Sequence, residues 1–84
     1  MPDLSYSQLS AMLLSLGFER RVIRGSHVLF THEKTETIVA LPIARGRQKV
    51  RMANIVATRF LLDAKGIIPS QKWESLAEDQ RKHS

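Results

Sequence analysis

The 84-residue chain has no cysteine, which excludes a disulfide framework, a cysteine-based zinc site and thiol chemistry together. Its uninterrupted apolar stretches are short, Ile38–Leu41 for example, against the ~20 residues that span a bilayer. Its four scattered glycines make no phosphate-cradling loop. A serine triad lacks any nucleophile-elbow pattern. The three histidines, His27, His32 and His83, have no histidine-rich or closely spaced Asp/Glu cluster around them, so no metal and no other cofactor is expected. Met1–Leu4 leads straight into a polar, helix-like pattern rather than a basic-then-apolar leader, and a soluble, cytoplasmic chain with no membrane partner is expected.

What is present is a basic domain with enough apolar content to fold. Hydrophobic residues make up 43%, and the length leaves room for one core only. Thirteen Lys+Arg against eight Asp+Glu leave a net charge of +5. That charge belongs to the middle of the chain: residues 19–59 carry nine bases and three acids, while residues 60–84 balance four of each. Arg45, Arg47, Lys49 and Arg51 place four bases within seven residues around Gly46. Such a run reads as a solvated loop or as a set of phosphate contacts, since arginine forks onto two oxygens at once. A membrane surface or an acidic partner protein would satisfy the same charges.

Hydrophobic spacing predicts the elements. Leu9, Met12, Leu13 and Leu16 fall on one stripe of a helix over residues 6–16, with Ser5 and Gln8 at capping-box spacing and Gly17 as its stop. The period then changes to two. Strands are predicted over 19–24, 27–32 and 37–41, with turns at Arg24-Gly25-Ser26 and at residues 33–36. Pro42 closes the third strand, and the basic loop follows. A second helix is predicted over 52–65, with Ala53, Ala57, Phe60, Leu61 and Ala64 as its inward face and Ile55 and Leu62 widening it. A short third helix over 71–77 presents Trp73, Leu76 and Ala77, and residues 78–84, which hold no apolar side chain, are expected to fray. The fold class is α+β: one α-β-β-β-α-α domain over residues 1–77, a three-stranded antiparallel sheet with helices on one face. Leu13, Leu16, Phe18, Phe30, Phe60 and Leu61 are the expected core.

His27 and His32 stand five apart on one predicted strand, and an odd separation sends their side chains to opposite faces. They are not expected to cooperate. His32, beside a turn, reads as an edge histidine. Val28 and Phe30 compete for the core face better than Leu29, so His27 points outward, near Arg24. On spacing alone it reads as an ordinary surface histidine.

Several short motifs carry a family resemblance: Leu16-Gly17-Phe18 ending the first helix, Gly25-Ser26-His27 opening the second strand, Val39–Pro42 closing the third, and Lys65-Gly66-Ile67 ending the second helix. With this spacing, the chain resembles the HicA (YcfA-like) family of toxin ribonucleases from bacterial toxin–antitoxin pairs, over roughly residues 5–77. The resemblance implies a fold similar to the double-stranded RNA-binding domain, His27 as the catalytic histidine, metal-independent cleavage of RNA (chiefly messenger RNA), and silencing by a HicB-like antitoxin. Ile43-Ala44-Arg45-Gly46-Arg47 stands where many members continue with a histidine and an acidic residue, which implies either reduced activity or a remodelled binding loop.

The residues suit that chemistry. RNA carries its own nucleophile in the 2′-hydroxyl, so cleavage needs a base, an acid and cations for the developing phosphorane charge. Histidine serves as base or acid near neutrality. Arg24, on the same hairpin, would neutralise the phosphate. Ser26 would orient the imidazole or bond the phosphate, or would serve only as a turn former. Arg45, Arg47, Lys49 and Arg51 would follow the RNA backbone. Two readings from other classes remain: a non-catalytic RNA-binding module using the same fold and charge, and an interaction protein whose basic face takes an acidic partner.

Overall fold

The computed structural model describes residues 3–22 and 27–82. Its elements run α1 (Tyr6–Ser15), β1 (Glu19–Val22), β2 (His27–His32), β3 (Thr37–Pro42), α2 (Met52–Ala64) and α3 (Ser70–Lys82). This is the α-β-β-β-α-α order that hydrophobic spacing predicts, in an α+β fold. The strands form one antiparallel sheet in the order β1-β2-β3.

α1 begins where the sequence places it. Ser5 is the N-cap, its Oγ accepts from the Gln8 backbone N–H at 3.2 Å, and Gln8 Oε1 accepts from the Ser5 N–H at 2.8 Å. That reciprocal pair satisfies two donors a helix start would otherwise leave open. The stop is Gly17 at φ +95°, a left-handed turn that returns the Phe18 N–H to the Leu13 carbonyl at 3.0 Å. Phe18 is then buried against the helix it has just left.

Register sorts the sheet into two unlike faces. Val28 and Phe30 on β2 lie opposite Leu41 and Val39 on β3, and all four are buried. Their neighbours Ile38 and Ala40 are exposed. One face is therefore covered by helices and the other is open. Tyr6, Leu9, Met12 and Leu13 of α1, Ile55 and Leu62 of α2, and Trp73 and Ala77 of α3 complete a single core with the inner strand residues. α3 packs against both other helices and its Trp73 is fully buried. Among described residues no helix is long and apolar enough to cross a membrane.

Two expectations about the helices are corrected. α2 turns Ile55, Thr58 and Leu62 inward, while Phe60 is 74% exposed and Ala53, Ala57 and Ala64 also face out. Leu61 and Leu16 are only half-buried. Thr58 can take an inward position because its hydroxyl donates to the Asn54 carbonyl at 2.7 Å and carries no unmet hydrogen bond into the core. α3 continues through Lys82 rather than ending at Ala77, and Arg81 on its last turn pairs with Glu78. Basic residues at that end suit the negative pole of the helix.

Candidate nucleic-acid interface

His27 is the first described residue of β2, exposed, and directly opposite Pro42 of β3. Its strand alternates from there: His27 outward, Val28 inward, Phe30 inward. The outward histidine expected from spacing is present, and its backbone is held in the sheet. Arg24 and Ser26, the other residues assigned to this hairpin, lie outside the described residues.

A different arginine shares the open face with His27. Arg21 pairs across β1 and β2 with Leu29, so His27 is its diagonal neighbour. Such neighbours sit about 7–8 Å apart, within reach of a long side chain. Arg21 is exposed, and its ion pair with Glu19 is long at 3.8 Å and solvated, so it holds the guanidinium only weakly. Sequence reading missed this residue, because choosing between Arg20 and Arg21 requires the register. Arg20 lies opposite Phe30 on the helix-covered side.

Beyond Pro42 the chain becomes the basic segment, and the structure makes it a pinned strap rather than a free loop. The Tyr6 N–H donates to the Gln48 carbonyl, the Ser7 N–H to the Gly46 carbonyl, each at 2.9 Å, and the Val50 N–H to the Leu4 carbonyl at 2.8 Å. The first two bonds satisfy donors that the start of α1 cannot satisfy within the helix. The approach is close at Gly46, where a Cβ would lie 3.3 Å from Ser7 Cβ and one of the two segments would have to give by a few tenths of an ångström. Val50 is buried and anchors the far end.

That anchoring has an electrostatic consequence. The even positions Gly46, Gln48 and Val50 face the body of the domain through their backbone, and Arg45, Arg47, Lys49 and Arg51 are all exposed. α1 has no acidic residue in its first turn to offset them. The strap, which turns where the Gln48 N–H donates to the Arg45 carbonyl at 3.0 Å, thus carries four exposed cations and begins three residues after the cross-strand partner of His27. Three residues of chain reach about 10 Å. The structure places His27, Arg21 and the root of the strap at one end of the sheet.

His32 belongs to the opposite end and does something else. Its ring lies 5.0 Å from the Phe18 ring, and Nδ1 is 2.8 Å from Thr35 Oγ1, which in turn is 2.7 Å from Thr37 Oγ1. It is a half-buried packing residue, apart from His27 as the odd spacing predicts. A concavity on the open face runs from this end, around Gly17, His32 and Ile38, as far as Leu29 and Arg21, and includes neither His27 nor the strap. Among the described residues no group of three or more metal-ligating side chains converges.

No family model, curated protein or solved structure matches this chain.

Proposed function

We propose that this protein is a metal-independent endoribonuclease acting on RNA, with messenger RNA as its cellular substrate and His27 as general acid or base. The observation that carries the reading is the exposed histidine held on a strand opposite Pro42, with a basic segment anchored to the start of α1 beginning three residues beyond that proline. The motifs shared with HicA-like toxins support the same assignment. They extend it to a toxin role in the cytoplasm, silenced by a HicB-like antitoxin.

The chemistry follows from the substrate. The 2′-hydroxyl gives its proton to a base as its oxygen bonds to the adjacent phosphorus. The bond from phosphorus to the 5′-oxygen breaks, and that oxygen takes a proton. The products are a 2′,3′-cyclic phosphate and a 5′-hydroxyl. His27 supplies one proton transfer and water the other, an acid–base contribution of about 10²–10⁴ in rate. Arg21 and Arg24 offset charge at the phosphorane, Ser26 bonds the phosphate or orients the imidazole, and the strap holds the flanking phosphates. DNA has no 2′-hydroxyl and is not cut.

The test is cleavage of single-stranded RNA in EDTA by wild type and His27→Ala, with circular dichroism as folding control. Wild type cuts and the variant does not. Equal cleavage by both removes His27 from the mechanism. Tight RNA binding with no cleavage by either assigns the domain to binding alone, the non-catalytic alternative.

A further inference from the structure

A small cavity lies between α1 and the inner face of the sheet, at the strap end and on the side away from His27. Its volume is about 50 Å³, and its lining includes Tyr6 and Ser10 of α1, Arg20 of β1 and Ala44 at the root of the strap. Val28, Phe30 and Leu41, all buried, form its apolar part. Local spacing and sheet register bring the polar groups together there. Tyr6 and Ser10 stand four apart, so they share one face of α1. Register turns Arg20, opposite Phe30, to the helix-covered side and leaves Arg21 on the other.

What distinguishes this cavity is unused hydrogen-bonding capacity. Among the described residues, the Tyr6 hydroxyl, the Ser10 hydroxyl and the Arg20 guanidinium have neither a hydrogen-bond nor an ion-pair partner. Tyr6 is only 8% exposed, and a tyrosine so buried ordinarily has its hydroxyl bonded. Ser15 on the same helix returns its hydroxyl to the Met12 carbonyl at 2.7 Å, and Ser10 makes no such bond. Arg20 can only donate, and both hydroxyls can donate as well. Among the described residues no carboxylate lines the cavity. Arg45 follows directly on Ala44, in a chain of net charge +5.

We infer that this cavity binds a phosphate group, as free phosphate or as the terminal phosphate of a nucleotide strand. Arg20 forks onto two of its oxygens, and Tyr6 and Ser10 donate to the remainder. Donors from two separate elements suit a tetrahedral oxyanion better than a planar carboxylate, which the fork of one arginine satisfies by itself. A terminal phosphate offers three unbridged oxygens to these three groups, where a diester within a strand offers two. The size agrees. One water takes about 10–15 Å³ of such a cavity, so the space holds about three or four, enough for one phosphate and too little for a nucleobase.

One exposed guanidinium and two hydroxyls set the strength, a dissociation constant on the order of 1 mM. The chemistry at His27 leaves a cyclic phosphate and a 5′-hydroxyl, so a terminal phosphate held here is not its product. This inference is independent of whether the chain cleaves RNA.

Titration with inorganic phosphate to about 20 mM, at ionic strength matched with chloride and followed by amide NMR shifts, tests it. Wild type saturates, with shifts centred on Tyr6, Ser10 and Arg20. Tyr6→Phe and Ser10→Ala each remove one hydroxyl that bonds nothing else, and each weakens binding ~10-fold. Arg20→Gln abolishes saturation, and circular dichroism of all three variants stays that of wild type. The source of the phosphate is read with a DNA oligonucleotide carrying a 5′-phosphate and the same strand with a 5′-hydroxyl. Tighter binding of the phosphorylated strand, lost in Arg20→Gln, makes a strand end the occupant. Equal binding of the two strands leaves free phosphate as the occupant. A wild type with no saturable shift overturns the inference. So do shifts confined to Arg45, Arg47, Lys49 and Arg51, or an affinity for phosphate that Ser10→Ala and Arg20→Gln leave unchanged.

Discussion

Neutralising the basic strap isolates its electrostatics from its structure. Arg45, Arg47, Lys49 and Arg51 are exposed, while the strap is held by backbone bonds from Tyr6, Ser7 and Val50 and by the buried Val50 side chain. Arg45→Gln/Arg47→Gln should therefore leave the fold in place, with a change in stability within about 0.5 kcal/mol. If each arginine neutralises one phosphate of single-stranded RNA, the log–log slope of affinity against salt loses about 0.7 per residue, or about 1.4 for the pair. Between about 1 M and 0.15 M salt, a slope of 1.4 is worth roughly 14-fold, about 1.6 kcal/mol, and that affinity is what the variant lacks at physiological salt. The loss should be the same for any RNA sequence, since phosphates carry no base identity. Cleavage at saturating RNA should fall less than affinity, because His27 is untouched. Fluorescence anisotropy with a labelled oligonucleotide at four or more salt concentrations measures slope and affinity together, with Lys49→Gln/Arg51→Gln as the second pair. Slopes and affinities equal to wild type in both pairs would refute the assignment of the strap to RNA. A loss confined to one RNA sequence would refute the phosphate-tracking argument.

Two further predictions concern the fold. Phe60→Ser should change the melting temperature little at micromolar protein, because the ring is already exposed, whereas Leu62→Ala, two residues on and on the inward side of the same helix, should lose about 2–5 kcal/mol by denaturant titration; the reverse ranking would show that α2 is turned the other way. Gly17→Ala should destabilise by about 1–2 kcal/mol, since φ +95° is a conformation L side chains rarely adopt and the added methyl meets the His32 ring at 3.4 Å; an unchanged melting curve would mean the turn relaxes at no cost.

Local chemistry, which a sequence displays directly, set much of the architecture. The capping box of Ser5 and Gln8, the left-handed Gly17, the change of period after it and the closure at Pro42 each depend on residues within a few positions of one another. The outward direction of His27 was legible for the same reason: alternation along a strand is a local property, and Val28 and Phe30 settle which side is the core.

Contacts between distant segments decided the rest. α2 is apolar on nearly every side, so its own pattern does not say which side turns inward. Packing against α3 chose Ile55, Thr58 and Leu62, and Thr58 is admitted there only because its own helix satisfies its hydroxyl. Arg21 joins His27 through a cross-strand register that the sequence of β1 alone does not contain. The strap reads as a loose basic loop until the unsatisfied donors at the start of α1 meet the carbonyls of Gly46 and Gln48, some forty residues away. Helix stops and strand alternation are written in the sequence because their energies arise between near neighbours. The facing of α2 and the assembly of His27, Arg21 and the strap at one end of the sheet arise only when the chain closes on itself.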